Sequence, residues 1–155
     1  MTQIIDTQLV DLDLNVATKA AAIAALGQRL ADANRLNDYQ GYIQNVNDRE
    51  TLTTTGIGFG IAIPHGKTNA VKTVSVAFGK LAQPIDWDSL DGEPVNMIFQ
   101  LAVPESSKGD EHLRLISALS RKLIHDDFRA QLAQATSAQT VIDLIGNSLN
   151  STLEV

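Results

Sequence analysis

Cysteine is absent from this chain, and its absence excludes several chemistries at once. There can be no disulfide bridge, no thiolate zinc site and no cysteine nucleophile. Long apolar runs are also missing, since none approaches the roughly 18 residues that a membrane-spanning helix requires. The first residues lack the basic stretch and apolar core of a signal peptide. We therefore expect a cytoplasmic protein that does not insert into a membrane.

Positive charge is in short supply. Lysine and arginine number 12 against 18 aspartates and glutamates, which gives a formal net charge of -6. Proteins that bind nucleic acid present a basic surface, so no nucleic-acid partner is expected. The length of 155 residues and the apolar fraction of 44% are typical of a globular protein. They predict a single domain over residues 1–155.

The most informative stretch is TGIGFGIAIPHGK at residues 55–67. Its glycines predict a flexible run, and the apolar residues 61–63 that follow predict a short buried strand. Pro64 is expected to stop that strand, because proline lacks a donor for the sheet. His65 would then lie exposed at the strand end, beside the small Gly66. A histidine presented in this way can act as a base, a metal ligand or a nucleophile.

The apolar periodicity of the rest of the chain predicts helices on both sides of several β-rich segments. Thr18 is expected to cap the first helix, which ends near Asn34. Asn37-Asp38 is expected to cap the second, which ends near residues 49–50. The segment 3–14 is expected to begin with a strand, and further strands are expected at residues 73–78 and 95–103. Residues 84–92 form a turn-rich segment. Later helices are expected at 110–125, 128–135 and 137–146, with a fraying tail after Gly146. This order predicts an α/β fold with a mixed, mostly five-stranded sheet sandwiched between helices.

Nucleotide and metal sites fit the sequence poorly. A phosphate-binding P-loop needs four residues between its first glycine and the Gly-Lys pair, but five separate Gly60 from Gly66. A dinucleotide fingerprint counted from Gly58 would require glycine at Ile63. The three histidines are far apart, and no HExxH motif is present. We therefore expect no cofactor and no metal.

The charge pattern around His65 favours a phosphoryl group. No aspartate or glutamate occurs at residues 51–85, whereas Lys67, Lys72 and Lys80 do. A region without acids tolerates the nearly two negative charges of a phosphoryl group. The alternative is that surface acids cluster elsewhere and that His65 is an ordinary loop histidine.

Two further residues are candidates for the same site. Arg49, near a helix end, can hold phosphate oxygens with its guanidinium fork, or can be a solvated helix terminus. His112, at the start of a strong helix, can orient His65 or contact phosphate, or can simply be a polar residue at a helix start.

These segments together resemble one family, the enzyme IIA domains of the fructose–mannitol class in the phosphoenolpyruvate-dependent sugar phosphotransferase system. Residues 55–67 resemble its phosphohistidine motif, and residues 48–50 its arginine segment. Residues 84–95 are similar to its central signature. Residues 111–113 and 119–121 resemble its helix with a second active-site histidine. The resemblance covers nearly the whole chain, and the joint occurrence of the motifs is highly specific.

The resemblance implies that His65 is a phosphoryl carrier. It would accept phosphate from phospho-HPr and pass it to an enzyme IIB domain of a fructose-type sugar permease, with assistance from Arg49 and His112. The resemblance implies transfer through Nε2 of His65, while the other ring nitrogen would donate to a backbone carbonyl or to His112. Phe59 departs from the family pattern, because relatives often have a polar residue such as asparagine there.

The same family core also occurs in a nitrogen-related regulatory branch, which binds target proteins according to phosphorylation state. Trp87, within Asp86-Trp87-Asp88, is more similar to the fructose branch. Sugar transport is therefore the first interpretation, and regulation is the alternative.

Overall fold

The fold is a mixed sheet of six strands packed between helices, in a computed structural model that describes residues 4–106 and 111–153. The strands are β1 (Val10–Leu14), β2 (Gly56–Gly58), β3 (Ile61–Ala62), β4 (His65–Thr68), β5 (Ser75–Ile85) and β6 (Val95–Pro104). The helices are α1 (Lys19–Asp32), α2 (Tyr39–Leu52), α3 (Glu111–Leu123), α4 (Asp126–Gln134) and α5 (Ala138–Leu153). The predicted fold class is confirmed.

The sheet is organised around the two long strands, β5 and β6, which pair antiparallel. The strand order is β1-β5-β6-β3-β2, a path of five strands. The sixth strand, β4, runs parallel to β6 just beyond β3 and so continues the same edge. Parallel and antiparallel pairs are therefore combined in one sheet.

The helices form two groups. Helices α1 and α2 pack on each other, with α1 against β5 and β6 and α2 against β4. Helices α3, α4 and α5 pack on one another, with α5 against β1. The first helix begins where the sequence predicts, because Oγ1 of Thr18 accepts the Ala21 N–H at 3.1 Å. Asp38 precedes α2 as predicted, but its side chain makes no capping hydrogen bond.

The glycine run is not the flexible loop that the sequence predicts. Gly56–Gly58 forms β2 and pairs antiparallel with β3. The intervening turn has positive φ at Gly58, Phe59 and Gly60. A left-handed conformation costs a residue with a Cβ roughly 1–2 kcal/mol, and asparagine tolerates it better than phenylalanine. Phe59 is contacted there by Arg129, whose guanidinium lies 4.2 Å from the ring centroid.

The strand does end before His65, since β3 stops at Ala62, but the prediction that His65 lies exposed at a strand end is wrong. Ile63 and Pro64 lie between β3 and β4, but the Pro64 carbonyl still accepts the Leu101 N–H of β6 at 2.9 Å. His65 then opens β4, in register with Leu101 of β6. The residue is therefore held in the sheet and is only 8% exposed, rather than projecting from a strand end.

Two other boundaries differ from the sequence prediction. Strand β5 begins at Ser75 and runs to Ile85, well past residue 78, because β1 and β6 pair with it on either side. Helix α5 continues past Gly146 to Leu153. Among the described helices, none is both long and apolar enough to cross a membrane.

Candidate functional site

Gly66 brings the second helix directly onto the strand that carries His65. A Cβ at this position would lie 2.8 Å from Oδ1 of Asn45 and 3.1 Å from Cγ2 of Val46, both on α2. Only a residue without a side chain allows this close approach. As a result, the last turn of α2 passes over His65 and presents Arg49 to it.

Both ring nitrogens of His65 have identified partners. Nδ1 lies 2.8 Å from the carbonyl oxygen of Ile63, which can only accept a hydrogen bond. Nε2 lies 3.2 Å from Nε of Arg49, which can only donate one. The partners therefore assign the neutral tautomer with the proton on Nδ1 and the lone pair on Nε2. Of the two partners considered from sequence for the protonated nitrogen, the geometry supports the backbone carbonyl.

His65 and Arg49 lie at the junction of two recesses. The outer recess has a volume of about 430 Å³ and is lined by Asn45, Asp48, Arg49, Leu52, His65, Gly66 and Lys67. The inner recess, of about 130 Å³, is lined by Arg49, Thr53, Thr54, Thr55, Ile57, Ile63, His65, Ile116 and Ser120. A group that enters the outer recess can reach the imidazole without displacing the main chain.

Burial lowers the pKa of His65 below its ordinary value of 6.5. The hydrogen bond to Ile63 acts in the opposite direction, the positive charge of Arg49 lowers the pKa further, and the carboxylate of Glu50 raises it. The net shift is downward, so the imidazole is neutral at pH 7 and its Nε2 carries no proton.

This shift predicts a dependence of stability on pH. The folded state favours neutral His65, so the contribution of His65 to the free energy of unfolding is fully present above the unfolded pKa of about 6.5. It is lost as the pH falls below 6.5 toward the folded pKa. We expect NMR titration to give His65 a pKa below that of the same residue in urea-unfolded protein. A folded value equal to or above the unfolded one would contradict the assignment.

The charges around His65 differ from the sequence prediction. Nζ of Lys72 binds Asn34, and Nζ of Lys80 binds the carbonyls of Ala133 and Ala135. Lys67 lines the outer recess, as expected of a cation near the site. Helix α2 also brings in acids from outside the acid-free span, including the Glu50 carboxylate that acts on His65.

Sequence reasoning missed a buried polar cluster behind Arg49. The Glu50 carboxylate is paired with Nζ of Lys19 at 3.1 Å and accepts the hydroxyl of Thr55. The same hydroxyl oxygen accepts the Trp87 indole N–H at 3.1 Å. The only sequence signal was the adjacency of Glu50 to Arg49, because the four residues lie in four separate segments.

His112 occupies the first turn of α3, but its side chain lies outside the described residues. Ile116 and Ser120, four and eight residues further along the same helix, line the inner recess. Across residues 4–106 and 111–153, no three histidines or carboxylates group closely enough to hold a metal ion.

Residues 3–148 match the sequence profile of the family described as phosphoenolpyruvate-dependent sugar phosphotransferase system, EIIA 2. The chain belongs to this family. It is 43% identical over 138 residues to the PTS system fructose-specific EIIA component of Haloferax volcanii, with 89% of each protein covered. It is also 36% identical over 145 residues to the PTS system fructose-specific EIIABC component of Bacillus subtilis. That match covers 94% of this chain but only 23% of the Bacillus subtilis protein.

Solved structures of EIIA proteins share the fold. The nitrogen regulatory protein IIA-Ntr of Neisseria meningitidis matches with a TM-score of 0.80 and 31% identity, over 92% of this chain and 96% of that one. IIAMTL of Escherichia coli, in its complex with phosphorylated IIBMTL, matches with a TM-score of 0.79 and 25% identity, over 92% and 97%. The resemblance to the fructose–mannitol class is confirmed, and EIIA domains are phosphotransfer proteins.

Proposed function

We propose that this EIIA protein is a cytoplasmic phosphocarrier for fructose-type sugar uptake. It accepts a phosphoryl group from phospho-HPr on His65 and passes it to an enzyme IIB domain. The supporting observation is the buried neutral imidazole, with its Nε2 lone pair directed at a guanidinium beside an open recess. That arrangement combines a nucleophile with the cation that a phosphoryl group needs.

The transfer step is a single in-line displacement. The Nε2 lone pair of His65 forms a bond to phosphorus while the bond from phosphorus to the donor atom breaks, and its electrons leave with the donor. The proton on Nδ1 stays in place, bound to the carbonyl of Ile63. The product is a neutral imidazole carrying a phosphoryl group, so no base is required on this protein.

Arg49 has two successive partners in this scheme. At rest its Nε–H is bound to the nitrogen that must attack. As the phosphoryl group arrives, the guanidinium moves from Nε2 to the phosphate oxygens, where it can donate two hydrogen bonds at once. Arg49 is exposed on the rim of the recess, so this rotation requires no rearrangement of the core.

His112 is retained as an assisting residue. Positions 112, 116 and 120 are separated by four residues each and therefore share one face of α3. Because Ile116 and Ser120 line the inner recess, this face is the one nearest His65. A second imidazole there would stabilise phosphate charge during transfer.

Partner proteins would dock on the apolar residues around the site. Leu52, Phe59 and Leu90 are 75%, 54% and 74% exposed, which is unusual for large apolar side chains. Leu52 borders the outer recess, and Phe59 lies in the β2–β3 turn. A small, partly apolar face suits short-lived contacts with successive partners.

Phosphorylation-dependent regulation is the second candidate, favoured by the match to IIA-Ntr and by 33% identity to a nitrogen regulatory protein of Bradyrhizobium diazoefficiens. The fructose-specific relatives weigh toward transport. Efficient donation of phosphate to an enzyme IIB domain supports transport. Acceptance without donation, together with a target protein that binds only one phosphorylation state, supports regulation.

The proposal predicts that the protein gains one phosphoryl group when incubated with phospho-HPr. The product is a phosphoramidate, so it should be labile in acid and stable in base. Intact-mass spectrometry before and after each treatment is the measurement, with unphosphorylated HPr as the control. A base-labile, acid-stable product would indicate a different acceptor residue and would contradict the proposal.

A further inference from the structure

Arg49 lies on α2 and His65 on β4. Thr55 is hydrogen-bonded both to Glu50, the neighbour of Arg49, and to Ile63, which binds His65. The side chain of Thr55 donates to the carboxylate of Glu50, the immediate neighbour of Arg49 in α2. The main-chain carbonyl of Thr55 accepts the N–H of Ile63 at 2.9 Å. The carbonyl of Ile63 in turn accepts the Nδ1–H of His65.

The hydroxyl of Thr55 is fixed in direction. Its oxygen accepts the indole N–H of Trp87, which leaves its proton for the Glu50 carboxylate. Trp87 is fully buried, so the indole cannot rotate away. The main-chain N–H of Thr55 also faces the second oxygen of Glu50, at 3.4 Å. The hydroxyl, the main-chain N–H and the main-chain carbonyl of Thr55 therefore all have partners.

Glu50 is equally constrained. Its side chain is only 5% exposed, and a carboxylate at such a position is stable only when it is paired and hydrogen-bonded. Lys19, at the start of α1, supplies the balancing charge at 3.1 Å. The cluster therefore joins α1, the end of α2, the segment before β2 and the segment after β5.

We propose that Thr55 and Glu50 are positioning residues of the phosphotransfer site, which together set the separation between Arg49 and Nε2 of His65. The proposal rests on the proposed function. The main-chain carbonyl of Thr55 supports Ile63, whose own carbonyl orients His65, and the hydroxyl of Thr55 holds Glu50 and with it the turn that carries Arg49. Neither residue contacts the phosphoryl group.

Thr55→Val tests the proposal, because valine preserves the shape of threonine and removes the hydroxyl. In the unphosphorylated protein, we expect the Arg49 Nε–H resonance to lose its hydrogen-bonded shift and the ¹⁵N shifts of the His65 ring to move. Phosphoryl acceptance from phospho-HPr should slow about tenfold, as expected for one lost hydrogen bond to a charged group. Thr55→Ser keeps the hydroxyl and should restore both properties. Glu50→Gln should resemble Thr55→Val.

Asp6→Asn is the matched control, because Asp6 pairs with the buried Arg35 at 2.8 Å away from the site. It should lower stability to urea without changing the Arg49 or His65 resonances. Unchanged resonances in both Thr55→Val and Glu50→Gln, or an equal change in Asp6→Asn, would overturn the proposal. The resonances are measured without phosphate. If the unmutated protein accepts no phosphate, the proposed function fails, and the resonances still decide whether these residues position the pair.

Discussion

Replacement of His65 by alanine should abolish phosphoryl acceptance from phospho-HPr. The variant lacks the only nitrogen that the proposed reaction uses, which His65 holds at the start of β4. The loss should be complete rather than partial, because a clamp or an orienting residue cannot become the nucleophile. Intact-mass spectrometry and rapid-quench labelling should both show no phosphorylated species.

The two other histidines of the chain supply the controls. His125→Ala changes the residue that precedes α4, away from both recesses, and should be labelled at the unmutated rate. His112→Ala should still accept phosphate, but more slowly, and should donate it poorly to enzyme IIB. If His112→Ala abolishes labelling while His65→Ala retains it, the nucleophile has been assigned to the wrong histidine.

Replacement of Arg49 by alanine should give the second-largest effect. The phosphoryl group would lose a charged hydrogen-bond partner worth roughly 1.5–3 kcal/mol. Acceptance should therefore slow by roughly ten- to a hundredfold, and the phosphoprotein should hydrolyse faster. Removal of the positive charge should also raise the pKa of His65, since Arg49 lowers it. Rapid-quench kinetics and an NMR titration measure the two effects independently.

Arg49→Lys separates charge from geometry. Lysine keeps the charge but lacks the planar fork, so it should recover only part of the rate. If Arg49→Ala matches the unmutated protein in acceptance and donation, the clamp assignment is wrong. Lys67, the other cation in the lining of the outer recess, would then be the next candidate.

The strands and helices were predictable where local pattern decides them. Thr18 caps its helix because a short polar side chain at that position satisfies an N–H of the first turn. The β-rich composition of residues 95–103 predicts β6, because a strand that is buried over most of its length is made of apolar residues. Phe59 is different, since its left-handed backbone is set by the turn between β2 and β3 rather than by its own preference.

The candidate site was only partly predictable. His65 and Arg49 could be chosen by residue type and by resemblance, and the structure places them 3.2 Å apart. The burial of His65 could not be foreseen, because Pro64 reads as the end of a strand while the pairing resumes one residue later. The Thr55–Glu50 cluster left only the adjacency of Glu50 to Arg49 as a signal, because the hydrogen bonds to Lys19 and Trp87 join distant segments and leave no periodic trace in a sequence.

The resting contact between Arg49 and His65 also bears on the timing of transfer. Rotation of an exposed side chain takes picoseconds to nanoseconds, whereas specific protein association is far slower at ordinary concentrations. Release of Nε2 therefore adds no kinetic delay and acts only as a bias on an equilibrium. Without charged oxygens that compete for the guanidinium, this equilibrium favours the form in which the Arg49 Nε–H binds the Nε2 lone pair. If His65 is the nucleophile, as proposed, we expect donors with charged oxygens to be favoured over uncharged electrophiles, because only the former give the guanidinium a new partner.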